Sequence, residues 1–498
     1  MNHLAIIQRA ISHGDRIALR SQKGVHTYRE LIAGSHNISA ALLDSANDLN
    51  EERIGFLVPT GETYINALWG IWRAGGIAVP LSMSATAKEL QYTLADSQIK
   101  RVLVADESSK HLSVACANLD VQLISIDRLP LPRDQNLPEI QSSRRAMILY
   151  TSGTTSRPKG VVTSHACIES QIQSLIEAWH WQSSDRIPLF LPLHHIHGII
   201  NVMSCALWSG AEIDPYPKFK IDSIIAKVAS GNYTVFMAVP TIYVKLIEFL
   251  ETLPPSEFAS IAEGFGAMRL MVSGSAALPA SVHEKWTELT GQKLLERYGM
   301  TEIGMALSNP YVGERRPGAV GQPLPGVQIR LADDAGNVLK ETDKGPGEIQ
   351  VCGPSVFKEY WNRPDATRDS FDHDWFRTGD IAVIESGYFR IMGRSSVDII
   401  KSGGYKLSAL EIEASLLDHP AISQCAVIGL PDETWGEIVA AAVVYSKNRT
   451  VDCETLQNWC KDRISSYKIP RRLLGIQELP RNAMGKITKP AVVKLFSN

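Results

Sequence analysis

The stretch Tyr150-Thr-Ser-Gly-Thr-Thr-Ser-Arg-Pro-Lys-Gly160 constrains the fold most, because it places glycines, hydroxyl side chains and a lysine between two apolar runs. Residues 146–150 have the short apolar pattern of a buried strand, and Val161 and Val162 resume it. We therefore expect a loop that joins two strands. Glycines let backbone N–H groups approach an anion, hydroxyls add donors, and Lys159 adds a mobile positive charge. The stretch predicts a loop that holds a triphosphate.

The spacing of this loop differs from that of the familiar nucleotide loop, in which Gly, four residues and Gly-Lys-Ser/Thr precede a helix. Here Lys159 lies between Pro158 and Gly160, which favours another class of nucleotide binder. For a generic Ser/Thr/Gly run, the alternative is a polar surface turn. The eleven-residue string, however, resembles the signature of the adenylate-forming superfamily, which includes acyl-CoA synthetases, peptide-synthetase adenylation domains and beetle luciferases. The resemblance implies that ATP is held by Thr151, Ser152, Gly153, Thr154, Thr155 and Lys159.

One position in the loop departs from the family pattern. Ser156 stands where these proteins usually have glycine. A positive φ at this position would strain a serine, so the affinity for ATP would suffer.

Length and charge restrict the class of protein. A chain of 498 residues is long enough for two to four domains. Its net charge of −3 gives no reason to expect nucleic acid or a membrane surface as a partner. The seven cysteines include no C-x-x-C pair and are expected to be reduced thiols. Residues 1–10 predict an amphipathic helix rather than a secretory signal, which favours the cytoplasm, with an organelle matrix also possible.

The order of apolar runs predicts an α/β fold. Strands at 54–58, 77–80 and 101–105 alternate with helices at 62–74 and 88–95, which is typical of βαβ units. Between 318 and 391 short alternating strands predict a small β-rich subdomain. We therefore expect a large N-terminal domain of layered α/β subdomains plus that β-rich subdomain, residues 1–393, which binds ATP and the acid. A small, mobile α+β C-terminal domain is expected at residues 394–498.

A second motif, Tyr298-Gly-Met-Thr-Glu302, follows an apolar run. Alone, a Thr-Glu pair is most often the start of a helix. In the superfamily pattern Thr301 contacts the α-phosphate and Glu302 helps to hold Mg²⁺, a hard cation that prefers oxygen ligands. The resemblance also places Glu296 and Tyr298 among the nucleotide-binding residues.

Four further motifs lie in the C-terminal third of the chain. Trp375-Phe-Arg-Thr-Gly-Asp380 is expected to present Asp380 on a tight turn, where it accepts hydrogen bonds from the ribose hydroxyls. Arg394 resembles the family arginine that contacts the nucleotide, and the domain pivot could be Ser396, Val397 or Asp398. The remaining residues that the resemblance implies are Lys401, Gly403 and Gly404 for coenzyme A, and Lys486 for catalysis of adenylation.

The pair Glu296-Arg297, immediately before Tyr298, indicates which class of carboxylic acid is the substrate. A buried guanidinium without a partner would cost several kcal/mol, and a second substrate carboxylate would satisfy it with a bidentate pair. Together Arg297, Ser275 and His197 resemble the malonate-recognising residues of malonyl-CoA synthetases. Arg297 could instead pair with Glu296 or another internal acid, and the histidines at 194, 195 and 197 could instead hold a metal.

The resemblance implies a CoA ligase for malonate, with methylmalonate as a second candidate substrate, that uses ATP, Mg²⁺ and coenzyme A. An acyl-adenylate forms with release of pyrophosphate, and a thiol then displaces AMP. An aromatic or medium-chain acid ligase and a stand-alone carrier-protein acylating enzyme remain alternatives. A catalytically silent nucleotide-binding protein is disfavoured, because Lys486, Glu302 and Asp380 are all present.

Overall fold

The computed structural model describes residues 4–21, 24–106, 109–129, 136–151, 158–340, 345–402, 405–447, 449–481 and 487–496. The chain forms two compact units, the first comprising Met1–Gln328 and Val351–Phe376 and the second Ile329–Gln350 and Arg377–Asn498. The boundary expected at residue 394 concerns domain movement, which compactness does not test, and it stays a prediction.

The helices and strands run as follows. The helices are α1 Ala5–His13, α2 Tyr28–Leu43, α3 Glu62–Arg73, α4 Ala87–Asp96, α5 Ser109–Cys116, α6 His165–Ala178, α7 Cys205–Ser209, α8 Ile221–Ala229, α9 Pro240–Glu251, α10 Pro255–Gly266, α11 Ala280–Thr290, α12 Pro364–Asp369, α13 Ala409–Leu417, α14 Cys453–Cys460 and α15 Lys489–Leu495. Short 3₁₀ turns span Ile126–Arg128 and Ser466–Lys468, and a π-helix spans His197–Ser204.

The strands of the first half are β1 Ile17–Ser21, β2 Gly24–Thr27, β3 Arg53–Leu57, β4 Ile77–Pro80, β5 Arg101–Val104, β6 Gln122–Ser125, β7 Arg145–Thr151, β8 Lys159–Ser164, β9 Arg186–Leu189, β10 Glu212–Pro215, β11 Val235–Ala238 and β12 Leu270–Ser273. Those of the second half are β13 Leu295–Met300, β14 Gly304–Ser308, β15 Gln322–Pro323, β16 Gln328–Ala332, β17 Gly347–Cys352, β18 Glu359–Tyr360, β19 Phe371–Asp372, β20 Trp375–Glu385, β21 Tyr388–Arg394, β22 Ile399–Ser402, β23 Tyr405–Ser408, β24 Ile422–Asp432, β25 Gly436–Tyr445 and β26 Arg472–Gly475.

Three sheets organise the first unit. One has the strand order β18-β8-β7-β4-β3-β5-β6, a second β2-β1-β10-β9, and a third β11-β12-β13-β14-β15. Within the first of these sheets β3 pairs in parallel with both β4 and β5, with α3 and α4 as the crossovers. The predicted βαβ units are therefore confirmed, to within a few residues at each end.

Helix α3 explains how the site is supported. Every residue from Tyr64 to Arg73 is buried, which is the pattern of a helix surrounded by protein on all faces. Trp72 lies at its C-terminal end, fully buried, and its indole Nε1–H donates to the carbonyl of Ala146 across 2.8 Å. Because Ala146 belongs to β7, the core anchors the strand that leads into the phosphate loop.

The second unit contains short antiparallel strands and a five-stranded sheet. The predicted β-rich region at 318–391 includes residues of both units; strands β16, β17, β20 and β21 confirm it, and α12 in the first unit is its one helix among the described residues. The five-stranded sheet has the order β23-β22-β25-β24, and β26 pairs with β25. Among the described residues, no helix has the length and apolarity needed to cross a membrane.

Candidate active site

The predicted phosphate loop is the connection of a β-hairpin. Strands β7 and β8 are antiparallel, and Thr151 at the end of one lies opposite Lys159 at the start of the other. The expectation that the loop joins two strands is confirmed. The hairpin register places both residues at the base of the loop, on either side of residues 152–157.

Tyr360 contacts both Lys159 and Glu302. Lys159 Nζ lies 4.7 Å from the ring centroid of Tyr360, a cation–π distance. The hydroxyl of Tyr360 donates to Glu302 Oε1 across 3.0 Å. Glu302 is 5% exposed, and this hydrogen bond orients its carboxylate. The structure thus brings together the predicted phosphate-binding lysine and the predicted Mg²⁺ ligand.

A second hairpin carries the remaining nucleotide candidates of the first unit. Strands β13 and β14 are antiparallel, with a register shift between Tyr298 and Gly299, and the turn between the strands contains Thr301 and Glu302. Glu296 precedes them on β13, and one of its carboxylate oxygens accepts the N–H of Gly318 at 3.0 Å. Burial raises the pKa of Glu296 to about 8, a shift that the hydrogen bond from Gly318 only partly offsets.

Arg297 is a buried cation. The residue is 3% exposed, its Nη2 donates to Ser275 Oγ at 3.3 Å, and its Nε has no hydrogen-bond partner. No ion pair to Arg297 occurs within the described part of the chain, so the alternative in which it pairs with Glu296 is wrong. Burial lowers the pKa of Arg297 to about 9. A buried guanidinium with an unused donor favours an anionic ligand.

His197 shares the same serine. Its Nδ1 lies 3.1 Å from Ser275 Oγ, whereas its Nε2 is buried without a partner. Burial, reinforced by the nearby charge of Arg297, holds the pKa of His197 well below its ordinary value. The imidazole is therefore neutral at pH 7. The residue begins the π-helix His197–Ser204, a rare geometry that often marks functional sites.

The turn after β12 explains how Ser275 reaches both partners. Ser275 has φ of 69°, in the left-handed region that non-glycine residues rarely adopt. At the preceding Gly274, a Cβ atom would lie 2.5 Å from both Cζ and Nε of Arg297. The guanidinium therefore packs directly on the backbone of Gly274, and a strained serine supplies its hydroxyl partner.

The histidines at 194, 195 and 197 were the candidates for a metal site. Among the residues that the structure describes, no group of three or more His, Cys, Asp or Glu side chains could hold a metal ion. The rings of His194 and His195 lie with their centroids 4.1 Å apart at a tilt of 48°, and burial lowers the pKa of His194 to about 4.

In the second unit, Asp380 and Arg394 form a pair. They lie opposite each other on β20 and β21, and Arg394 Nε is 3.0 Å from Asp380 Oδ1. The prediction of a tight turn at Asp380 is wrong, because the residue lies inside an eleven-residue strand. Gly379 with φ of 72° and a register shift after Ile381 distort the strand at this point, and turn-like residues in the sequence reflect that distortion.

Lys401 lies on β22 with its side chain exposed, and its backbone N–H donates to Glu437 Oε2 at 2.6 Å. The other predicted residues, Ser152, Gly153, Thr154, Thr155, Gly403, Gly404 and Lys486, lie outside the described residues, as does Ser156.

Two family models match the chain. The model of the AMP-binding enzyme matches residues 7–361, and that of the AMP-binding enzyme C-terminal domain matches residues 411–486. The chain belongs to the AMP-binding enzyme family. Both compact units thus contain matched sequence, and the mixed α/β architecture is that of the adenylate-forming enzymes.

Individual members of the AMP-binding family match the chain along nearly its whole length. The mitochondrial malonate–CoA ligase of Homo sapiens is 43% identical, with 99% of this chain and 92% of the relative covered. The malonate–CoA ligase of Arabidopsis thaliana is 38% identical, with 99% and 88% covered. Among solved structures, ATP-bound MatB from Rhodopseudomonas palustris superposes with a TM-score of 0.89 at 32% identity, covering 100% and 99% of the two chains.

Sequence reasoning missed two residues that shape the candidate site. Tyr360 is 58 positions from Glu302, and no local pattern marks it as more than a core aromatic. Gly274 was visible in the string Ser273-Gly-Ser275, but its closeness to Arg297 depends on the pairing of β12 with β13. Long-range strand pairing of this kind could not be read from spacing.

Proposed function

We propose that the protein is a malonate:CoA ligase that forms malonyl-CoA through a malonyl-adenylate, with release of pyrophosphate and AMP. The observation that carries the choice of acid is the buried Arg297, whose Nε has no partner and which has no ion pair among the described residues. The malonate–CoA ligases that cover the chain support the same choice. Methylmalonate is proposed as a second substrate, because one methyl group changes binding by only about 1–3 kcal/mol.

The acid is held by one of its two carboxylates. The distal carboxylate accepts hydrogen bonds from Arg297, with Ser275 and neutral His197 as further donors or orienting groups. This leaves the other carboxylate free to attack the α-phosphorus. A monocarboxylate would leave the buried guanidinium unpaired, which disfavours it by several kcal/mol.

The phosphates are held by the β7–β8 hairpin. Lys159 neutralises negative charge at the base of the loop, and Thr301 donates to the α-phosphate. The buried carboxylate of Glu302 is an oxygen ligand of the kind that Mg²⁺ requires, and with Tyr360 and Lys159 nearby it would hold the metal next to the phosphate loop. When bound, Mg²⁺ supplies charge stabilisation to the leaving pyrophosphate.

We assign the binding of the ATP ribose and of coenzyme A to residues of the second unit. Asp380 accepts from the ribose hydroxyls while Arg394 contacts the nucleotide, and the segment at Lys401 contacts coenzyme A. Lys486 is proposed to stabilise the charge that develops between the attacking carboxylate and the α-phosphate. The compartment is proposed to be the cytoplasm or an organelle matrix, and fractionation of cells expressing the tagged chain would distinguish them.

The experiment that tests this function is a panel of acids. AMP release and thioester formation with ATP and coenzyme A are measured for acetate, malonate, methylmalonate, succinate, octanoate and 4-coumarate. We expect malonate or methylmalonate to give the highest kcat/KM. Preference for a monocarboxylate would overturn the role of Arg297, and an absence of AMP with every acid would overturn the ligase assignment.

A further inference from the structure

An ion cluster in the second unit has no role in the site described above. Lys489, the first residue of α15, has its Nζ 2.6 Å from Asp398 Oδ1 and 2.8 Å from Glu413 Oε1. The three side chains are only 11%, 14% and 15% exposed. Burying three charges is costly unless they are well paired, so a cluster of this kind calls for a reason beyond stability.

Asp398 links this cluster to the turn that carries Arg394. Its second oxygen, Oδ2, accepts the backbone N–H of Arg394 at 3.0 Å, and its own backbone N–H donates to the carbonyl of Arg394 at 2.8 Å. At the adjacent Gly393, a Cβ atom would lie 2.3 Å from Cβ of Asp398. The carboxylate of Asp398 therefore fixes the backbone turn from 394 to 398.

The same turn orients the proposed nucleotide pair. Arg394 Nε meets Asp380 Oδ1 at 3.0 Å, so contacts run without a gap from Lys489 through Asp398 and Arg394 to Asp380. Glu413 contacts Lys489 but is not one of the residues that connect Lys489 to Asp380. Its Oε1 forms an ion pair with Lys489 Nζ at 2.8 Å and accepts the N–H of Val427 at 2.8 Å, and within the described residues no hydrogen bond or ion pair joins it to the turn.

We propose that Lys489 is a positioning residue for ATP binding: by holding Asp398, it fixes the turn that presents Arg394 beside Asp380. Without the ammonium group, the carboxylate of Asp398 turns toward water, and the orientation of Arg394 is set only after ATP arrives. The cost of ordering the turn then appears as weaker nucleotide binding. This inference rests on the proposed ATP roles of Asp380 and Arg394, and it does not depend on which acid is used.

A purely structural cluster would behave differently. Removal of any partner from a buried ion cluster lowers stability, so a lower melting temperature does not distinguish the two roles. Lys489 and Glu413 belong to the same cluster, but only Lys489 touches Asp398. If the cluster merely stabilises the fold, substitutions of Lys489 and of Glu413 have the same effect on ATP binding. If the cluster positions Arg394, the substitution of Lys489 weakens ATP binding more.

The test compares Lys489→Met with Glu413→Gln in the full-length protein. The dissociation constant of Mg·ATP is measured by isothermal titration calorimetry without acid or coenzyme A, and the melting temperature is recorded for each variant. Lys494→Met, at an exposed position of the same helix, is the matched control. We expect at least tenfold weaker binding for Lys489→Met, a change within twofold for Glu413→Gln, and no change for Lys494→Met.

A double variant tests the path itself. If Lys489 acts through Asp398, Asp398→Ala weakens Mg·ATP binding and adding Lys489→Met weakens it by no more than a further twofold. Should Lys489→Met fail to fold, Lys489→Gln retains a donor toward Asp398 and is expected to weaken binding three- to tenfold. Equal losses in Lys489→Met and Glu413→Gln, or unchanged binding in the Lys489 variants, would overturn the proposal. Wild-type protein that binds Mg·ATP but does not turn over malonate would instead refute the proposed acid.

Discussion

Arg297 Nη2 donates to Ser275 Oγ across 3.3 Å, and the same oxygen lies 3.1 Å from Nδ1 of His197. One hydroxyl thus joins a buried cation to a buried neutral imidazole. Arg297 Nε and His197 Nε2 both lack a partner, so this buried set of polar groups has unused hydrogen-bonding capacity, including the Nε–H donor of Arg297. Such a set matches a small anion better than an apolar acyl chain.

Arg297→Met tests this set of donors. The substitution keeps the volume of the side chain but removes the charge-assisted hydrogen bonds, which are worth about 1.5–3 kcal/mol. We expect kcat/KM for malonate to fall roughly 10- to 150-fold, while the KM for ATP stays within twofold. Steady-state kinetics with malonate and acetate measure both quantities.

The matched control is Arg315→Met. Arg315 is also a part-buried arginine of the first unit, but its guanidinium donates to the backbone carbonyls of Lys293, Pro310 and Tyr311. This variant should lose stability without changing the preference for malonate over acetate. An equal change of preference in both variants would contradict a specific role for Arg297.

Gly274→Ala is expected to alter activity more than stability. The added methyl group meets Cζ and Nε of Arg297 at 2.5 Å, and these atoms lie at the far end of a flexible side chain. The guanidinium can yield, so the fold should survive while the anion site is displaced. We expect malonate kcat/KM to fall at least tenfold with a shift of only a few degrees in Tm. Gly345→Ala, where a Cβ meets nothing within 4 Å, is the control.

Ser275 can be tested by comparing two substitutions. Both Ser275→Gly and Ser275→Ala remove the hydroxyl, so both should reduce kcat/KM for malonate by about tenfold, as expected for the loss of a buried hydrogen-bond partner. Only glycine relieves the positive φ, which costs a non-glycine residue about 1–2 kcal/mol. The glycine variant should therefore unfold at a higher urea concentration than the alanine variant. Identical midpoints would show that the backbone of Ser275 is unstrained.

The sequence predicts the helices and strands of this protein better than it predicts the geometry of the candidate site. The βαβ units, the hairpin at β7 and β8, and the β-rich region all follow from apolar periodicity, which is a local property. Arg297 could be singled out because a charge beside a buried strand needs a partner. The strain at Ser275 could not be predicted from the sequence, since its φ depends on how the turn after β12 packs against β13.

The prediction at Asp380 failed for an instructive reason. Thr378-Gly-Asp380 has the composition of a turn, but the pairing of β20 with β21 overrides local propensity and turns it into a distorted strand. The cluster of Asp398, Glu413 and Lys489 was equally hidden. Its members are separated by up to 91 positions, and each alone looks like a surface charge.

Glu296→Gln tests the electrostatics of the strand that carries Arg297. Burial raises the pKa of Glu296 from 4.5 to about 8, so the folded protein holds a proton there at pH 7 that the unfolded chain has released. The stabilisation from this group is fully present below pH 4.5 and is lost as the pH rises through 8.

Glutamine has the same shape as the protonated carboxyl group and does not titrate. The wild-type protein should therefore lose stability relative to Glu296→Gln as the pH rises from 5 to 8.5, by at most about 1.4 kcal/mol per pH unit. Urea unfolding of both proteins across this range measures the difference, in which the titration of the histidines cancels. Glu288→Gln on the exposed face of α11 controls for the loss of a carboxylate. A difference in stability that does not change with pH would show that Glu296 is ionised in the folded protein.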